Sequence, residues 1–258
     1  MNIPRKISRA IRICRNVTAN LFEPPIVVLT YHRVAHQEHD PEQLAVSPEH
    51  FREQLGFLRS NFPILRFDEP WMYPERISFV LTFDDGYADN LTTALPILRE
   101  FECPATFFVT AGAVGADREF PWDGGHSPQR CKFRTLREDE LRELAADPLT
   151  TVGSHTGTHP RLSSLSAKEQ QTEIIGGHRR LEEMLGRKLT VFSYPFGNYG
   201  DFNADSRRIC QAAGFSRAAA NFPGQYFRNG DPLAIPRHLV RNWNGKAFKE
   251  RMFRFQYL

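Results

Sequence analysis

Short apolar runs punctuate the chain, separated by segments in which apolar residues recur every three or four positions. The runs read as strands at Ile26–Tyr31, Pro63–Phe67, Ile77–Phe83, Ala105–Thr110, Thr151–Ser154, Thr190–Tyr194, Phe215–Ala220 and Leu233–Arg237. Helices lie between many of them. Ser47-Pro48 supplies an N-cap and a first-turn proline to "EHFREQLGFLR". Thr135, with Glu138 three residues on, is placed to cap "LREDELRELAA", and Ser166 with Glu169 to cap a long helix ending near Gly186. "SRRICQAAG" closes on Gly214, and "GKAFKERMFRF" gives a last helix. Strands alternating with helices predict a parallel α/β fold. Seven or eight of them suit a barrel, although periodicity alone also allows an open sheet. The stretch from Ala111 to Arg134 reads as one long loop, of the kind that belongs to sites.

Composition narrows this only in part. With 258 residues, 41% of them apolar, the chain can bury a substantial core, and one domain is expected over residues 23–258. A net charge of +3 is too mild to argue for a nucleic-acid partner. The positive excess gathers at Arg5, Lys6, Arg9, Arg12 and Arg15, ahead of the first acid, Glu23. Ile3, Ile7, Ala10, Ile11, Cys14, Val17 and Leu21 fall at helical spacing among them. Residues 1–22 thus read as a basic amphipathic segment, able to lie on an anionic membrane or to pack on the domain. No apolar h-region follows the basic residues, and no stretch approaches the roughly 18 apolar residues of a spanning helix. Cys14, Cys103, Cys131 and Cys210 lie far apart and read as reduced structural thiols. The expected location is cytoplasmic, peripheral to the inner membrane face.

The chemistry enters with "ISFVLTFDDGYADN", Ile77 to Asn90, where an apolar run ends in two adjacent carboxylates. Asp85-Gly86 is ordinary turn punctuation, but neighbouring acids repel and call for a positive partner. Another strand runs into "GSHTGTHPRL", where His155 and His159 stand four apart. In parallel α/β folds, chemistry gathers at the C-terminal ends of strands. A divalent cation there takes one aspartate and two imidazoles, leaving a position open for water. The other carboxylate, pointing away from its neighbour, is free to act as a base.

"TFDDG" (Thr82–Gly86), "SHTGTH" (Ser154–His159) and "YPFG" (Tyr194–Gly197), in that order, resemble the polysaccharide deacetylases of carbohydrate esterase family four, the NodB-like domain. The similarity runs from "VVLTYHRV" near residue 30 to about residue 240. It implies a distorted (β/α)7-type barrel and metal-dependent hydrolysis of an acetyl group on an amino sugar, in a glycan or glycolipid. Carried over by position, Asp84 becomes the general base and Asp85, His155 and His159 the metal ligands. The backbone at Phe196 becomes the oxyanion donor. Zn²⁺ is the first choice of metal, with Co²⁺, Ni²⁺ and Mn²⁺ accepted by the same ligands.

The chain departs from the family in two places. The third-motif arginine that holds the base is replaced by Ser193, and Arg237 can stand in for it. The late histidine that serves as acid has no clean match. His32 in "LTYHRV" is favoured over His238, since first and last strands are neighbours in a closed barrel. This order resembles the circularly permuted poly-N-acetylglucosamine deacetylase branch. Trp122 and Asp123 in the long loop, with Tyr194 of the third motif and Tyr199 just after it, are candidates for sugar contact. His126 and His178 take no role, and His178 is expected to be solvated. The alternatives are another amide substrate on the same fold (a cyclic imide or a formyl-sugar lipid) or a carbohydrate-binding domain with a worn site.

Overall fold

The computed structural model describes residues 18, 20, 22–38, 40–71, 75–116, 120–123 and 133–257. Most of the basic segment 1–22 and His126 lie outside them. The strands are β1 Ile26–Tyr31, the short pair β2 Arg33–Val34 and β3 Ala45–Val46, β4 Ile64–Leu65, β5 Ser78–Phe83, β6 Ala105–Val109, β7 Thr150–Ser154, β8 Val191–Ser193, β9 Arg217–Ala219 and β10 His238–Leu239; all but β2, β3 and β10 fall on the predicted apolar runs. Seven of them pair in parallel in the order β10-β1-β5-β6-β7-β8-β9, with β4 against β5. Ile235 bridges to Ala219 of β9, while His238 pairs with Leu29 of β1, so residues 235–239 join both edges of the sheet. The predicted last strand, Leu233–Arg237, therefore lies a few residues further along, and the fold is the distorted seven-stranded barrel.

The helices cover the outside: α1 Pro48–Asn61, α2 Leu95–Glu100, α3 Glu138–Ala146, α4 Ala167–Gln171, α5 Gly177–Leu185, α6 Ala204–Ala212 and α7 Gly245–Tyr257. Ser47 caps α1, and Ser166 forms a reciprocal capping box with Glu169 at α4. α5 stops at Gly186 in the left-handed conformation. Thr135 does not cap α3. Its hydroxyl donates to the Ala113 carbonyl at 2.5 Å, so the helix starts later, and the Glu140 carboxylate accepts the Arg137 N–H instead. His178 is buried rather than solvated, with its ring on Phe215 and Nε2 at 3.4 Å from Glu182. Cys103 and Cys210 are free and buried, as structural thiols should be. Among the described residues no helix is long and apolar enough to cross a membrane.

Alternation along the strands decides what faces inward. Val27, Leu29 and Tyr31 pack in the main core with α1, whereas Ile26, Val28, Val80, Phe108, Val191, Ala219 and Ile235 form a second, internal cluster. Above that cluster the interior turns polar: Thr30, Thr82, Asp84, Ser193 and Arg237 are all buried. The barrel thus has an apolar floor and a charged layer at the C-terminal ends of its strands.

Candidate active site

Asp84 continues the inward parity of Val80 and Thr82, which carries its carboxylate into the barrel. There it meets Arg237. Nη1 donates to Oδ1 at 2.8 Å and Nη2 to Oδ2 at 2.6 Å. The guanidinium also donates to the Ala220 carbonyl, to Thr82 Oγ1 and to Ser193 Oγ, so a fully buried cation is satisfied on every side. Ser193, at the position of the absent family arginine, accepts from the arginine that arrives from the closing segment. Burial raises the Asp84 carboxyl, but the charge and hydrogen bonds of Arg237 outweigh it and hold it well below the usual range.

Asp85 leaves the strand differently. Its φ is +76°, and Gly86 follows at +85°. A Cβ on Gly86 would come within 2.9 Å of Val109, so glycine is required for the turn. The two acids therefore part. Asp85 Oδ1 faces His155 Nε2 at 3.6 Å and His159 Nε2 at 3.4 Å.

The histidine loop is held from behind. His155 Nδ1 lies 2.8 Å from the Ser193 carbonyl, which can only accept, so Nδ1 carries the proton and Nε2 a lone pair. Between α4 and α5 the helix opens into a π turn, Thr172–Gly176, and the Glu173 carbonyl there accepts the Gly157 N–H at 2.9 Å. The Glu173 carboxylate accepts from the Thr158 N–H and hydroxyl at 2.8 Å each. α5 presses so close that a Cβ on Gly177 would fall 2.4 Å from Thr156 backbone. Six non-glycine residues have positive φ among those described. Four of them, Asp85, Thr156, His159 and Phe196, lie in or beside the three motifs. Such conformations cost about 1–3 kcal/mol each and concentrate where geometry serves a site.

Both oxygens of Asp85 are buried with no hydrogen-bond partner among the described residues. Burial, then the charges of Asp84 and Asp123, push its carboxyl well above the usual range. Burial lowers both imidazoles, which leaves them neutral with lone pairs at neutral pH. A buried acid with no donor, facing two imidazole nitrogens, is costly alone and is resolved by a cation. The three donor atoms lie within 4.8 Å of one another. The 3.4 and 3.6 Å separations match the edge of a tetrahedron, about 3.4 Å for metal bonds of about 2.0–2.2 Å. The residues fit a divalent metal ion.

These groups open into a cavity of about 280 Å³. His32, Asp84, Asp85, His155 and His159 line it, with Trp122 and Phe196 as aromatic walls. Trp122 lies 4.7 Å from the His159 ring and Phe196 4.9 Å from it. Burial, the largest cause, pushes His32 down to about 4, with Asp84 opposing and Arg237 assisting. His238 is not in the cavity: its ring stacks on Phe255 of α7 at 3.9 Å. A larger groove of about 710 Å³ between α4–α5 and α6 gathers surface lysines and arginines around His178 and Glu182, with no second carboxylate in its lining.

Three candidate sugar contacts move elsewhere. Tyr194 is fully buried, stacked on Phe202 and donating to the Leu233 carbonyl at 3.0 Å. The Asp123 carboxylate is buried and accepts the Tyr87 hydroxyl, whose oxygen in turn accepts the Trp122 N–H at 3.0 Å. Asp123 therefore anchors the tryptophan. Tyr199 is 77% exposed, stacked on Phe222 outside the cavity lining. In their place the cavity gains Leu44, Leu239, Asn198, Asn221, Glu42 and Arg241, which sequence reading did not single out. For Arg241 a signal existed, since it follows the end of the last strand.

Comparison with known proteins agrees with this geometry. A family model described as polysaccharide deacetylase matches residues 73–218. The chain is 25% identical over 229 residues to YxkH of Bacillus subtilis (strain 168), covering 86% of this chain and 74% of that protein. It is 24% identical over 225 residues to the poly-beta-1,6-N-acetyl-D-glucosamine N-deacetylase of Staphylococcus aureus (strain MRSA252), covering 78% of this chain and 72% of that one. The fold is that of IcaB from Ammonifex degensii, with a TM-score of 0.73 at 24% identity over 91% of this chain and 97% of the other.

Proposed function

Because the chain belongs to the polysaccharide deacetylase family, we propose that it is a metal-dependent hydrolase removing N-acetyl groups from amino sugars of a polysaccharide or lipid-linked saccharide. One observation carries the reading. The hydrogen-bond-free carboxylate of Asp85 faces two imidazole nitrogens, while its neighbour Asp84 is ionised and locked by Arg237.

Asp85, His155 and His159 would hold the ion, Zn²⁺ first among the metals that accept them. When bound, a divalent cation supplies Lewis acidity, which makes a water acidic enough to ionise near neutral pH and polarises the acetyl carbonyl. Asp84 takes the proton of the attacking water, a contribution of about 10²–10⁴ in rate. Arg237 acts through Asp84, keeping it ionised and aimed. The turn at Phe196, with φ +60°, supports a backbone N–H donor to the oxyanion, worth about 3–4 kcal/mol. His32 is neutral before the reaction; negative charge developing beside it raises its basicity, so that the proton Asp84 takes from the water can pass through it to the departing amine. Trp122 and Phe196 supply the apolar wall for the sugar.

The test is metal analysis of the purified protein together with acetate release from N-acetylglucosamine oligomers. Turnover lost on chelation and restored by Zn²⁺ supports the reading. A metal-loaded protein that binds these oligomers and releases no acetate favours the binding-domain alternative. For residues 1–22, the charge pattern supports peripheral contact with an anionic membrane at the cytoplasmic face. Sedimentation with phosphatidylglycerol vesicles checks it.

A further inference from the structure

Arg241 follows β10 and lines the cavity that holds the acid and imidazole cluster. Its Nη1 donates to the Glu42 carbonyl and, at 2.8 Å, to the Gln43 carbonyl. Those two bonds fix the guanidinium against the loop between β2 and β3, whose backbone is pinned by the Asp40 carboxylate accepting from the Leu44 and Ala45 N–H groups. The other edge of the fork, Nε and Nη2, makes no hydrogen bond and no ion pair among the described residues. Asp40 and Glu42 act on it only from beyond ion-pair distance. Every other half-buried or buried arginine at this end of the barrel has a carboxylate: Arg237 has Asp84, and Arg33 has Asp89. Burial lowers the Arg241 guanidinium from its ordinary value, with the more distant charges of Asp40 and Glu42 opposing.

We infer that the Nε–Nη2 edge of Arg241 is an anion-recognition element of the active-site cleft, and that the preferred substrate is an N-acetylated amino sugar bearing a phosphate ester. This rests on the proposed deacetylase reading and narrows its substrate class. A guanidinium held by one nitrogen and open along its bidentate edge matches the planar pair of oxygens on a phosphate. A cavity of about 280 Å³ has room for about one sugar ring, so an anion reaching Arg241 from the lining would be carried on that ring or on its linkage. Leu44, next in the chain to the Gln43 that holds Arg241, and Leu239 also line the cavity and offer apolar surface suited to a carrier chain beyond the phosphate. A soluble sugar phosphate and a lipid-linked one share this chemistry.

The experiment is titration calorimetry on the metal-loaded protein with N-acetylglucosamine, N-acetylglucosamine 1-phosphate and its octyl phosphodiester. Acetate release from all three and from neutral N-acetylglucosamine oligomers is measured alongside. The phosphate is expected to tighten binding about 10–100-fold, the worth of a charge-assisted pair. Arg241→Gln should erase that gain while leaving the affinity for the neutral sugar within about twofold, and Arg241→Lys should keep part of it. Tighter binding of the octyl diester than of the monoester points to the lipid-linked source, and equal binding to the soluble one. Equal affinity for neutral and phosphorylated sugars, or a phosphate preference that survives in Arg241→Gln, overturns the inference. A purely structural staple on the loop would weaken all three ligands alike, which also overturns it. Absence of acetate from every substrate, with the phosphate effect intact, sinks the deacetylase reading and not the anion site.

Discussion

Arg237 grips Asp84 through two hydrogen bonds of 2.8 and 2.6 Å across 153 residues of chain, with both groups buried. The pair fixes the charge and aim of the residue assigned as base. Removing the cation alone, in Arg237→Met, leaves an uncompensated buried carboxylate and should cost about 3–5 kcal/mol by denaturant unfolding. Arg237→Lys keeps a charge but loses the fork. It should shift the acid limb of kcat/KM to higher pH, because the Asp84 carboxyl rises once its bidentate partner is gone. In the native chain this carboxyl is depressed, so its stabilising effect is full above the unfolded value near 4 and is lost only as pH falls below it.

Two adjacent acids with separate tasks predict two different failures. Asp84→Asn should lower kcat by about 10²–10⁴ with metal content unchanged. Asp85→Asn should empty the site of metal, as measured by plasma emission on dialysed protein. Equal metal loss in both variants would contradict the division.

Metal uptake should be coupled to protons. The Asp85 carboxyl is raised in the folded, metal-free protein and has to ionise to bind. Affinity for Zn²⁺ is therefore expected to increase with pH, approaching tenfold per unit below the raised value. Adding the metal in weak buffer should release protons. The metal-free fold should lose stability as pH rises through that same value, whereas loaded protein should not. Calorimetry in buffers of different ionisation heat reads the proton count.

His32 and His238 separate catalysis from packing. Both rings are pushed down to about 4, chiefly by burial, so each supports the fold fully above pH 6.5 and withdraws that support as pH falls towards 4. Replacing either by Gln should flatten the acid side of the stability curve. His32→Gln alone should reduce kcat by about 10²-fold or more and remove one limb of the pH–rate profile. His238→Gln should leave kcat within a factor of about two, since that ring faces Phe255.

β1, β5 and β6 were legible because they are buried on both faces and so read as continuous apolar runs. The grouping of Asp85 with His155 and His159 was legible because these residues sit in two short segments at strand ends. The direction of side chains in loops and just past strand ends was not. Tyr194 and Asp123 looked like sugar contacts by position, but sequence does not tell which way a side chain turns after a strand or within a loop. Thr135 looked like a cap because its competing acceptor, the Ala113 carbonyl, is 22 residues away in the chain. Arg241 stands just past β10, where strand-end chemistry gathers, but the open edge of its guanidinium depends on contacts with a loop about 200 residues earlier that no local pattern records.

Residues 235–241 fasten the hoop of strands and, within one stretch, also carry Arg237 and Arg241. Unclasping that stretch would strip the cleft of two cations while the helices outside stay folded. On gentle heating, turnover is therefore expected to fade at a lower temperature than the far-ultraviolet dichroism signal. Amides at 235–240 should likewise exchange with deuterium earlier than those of β1.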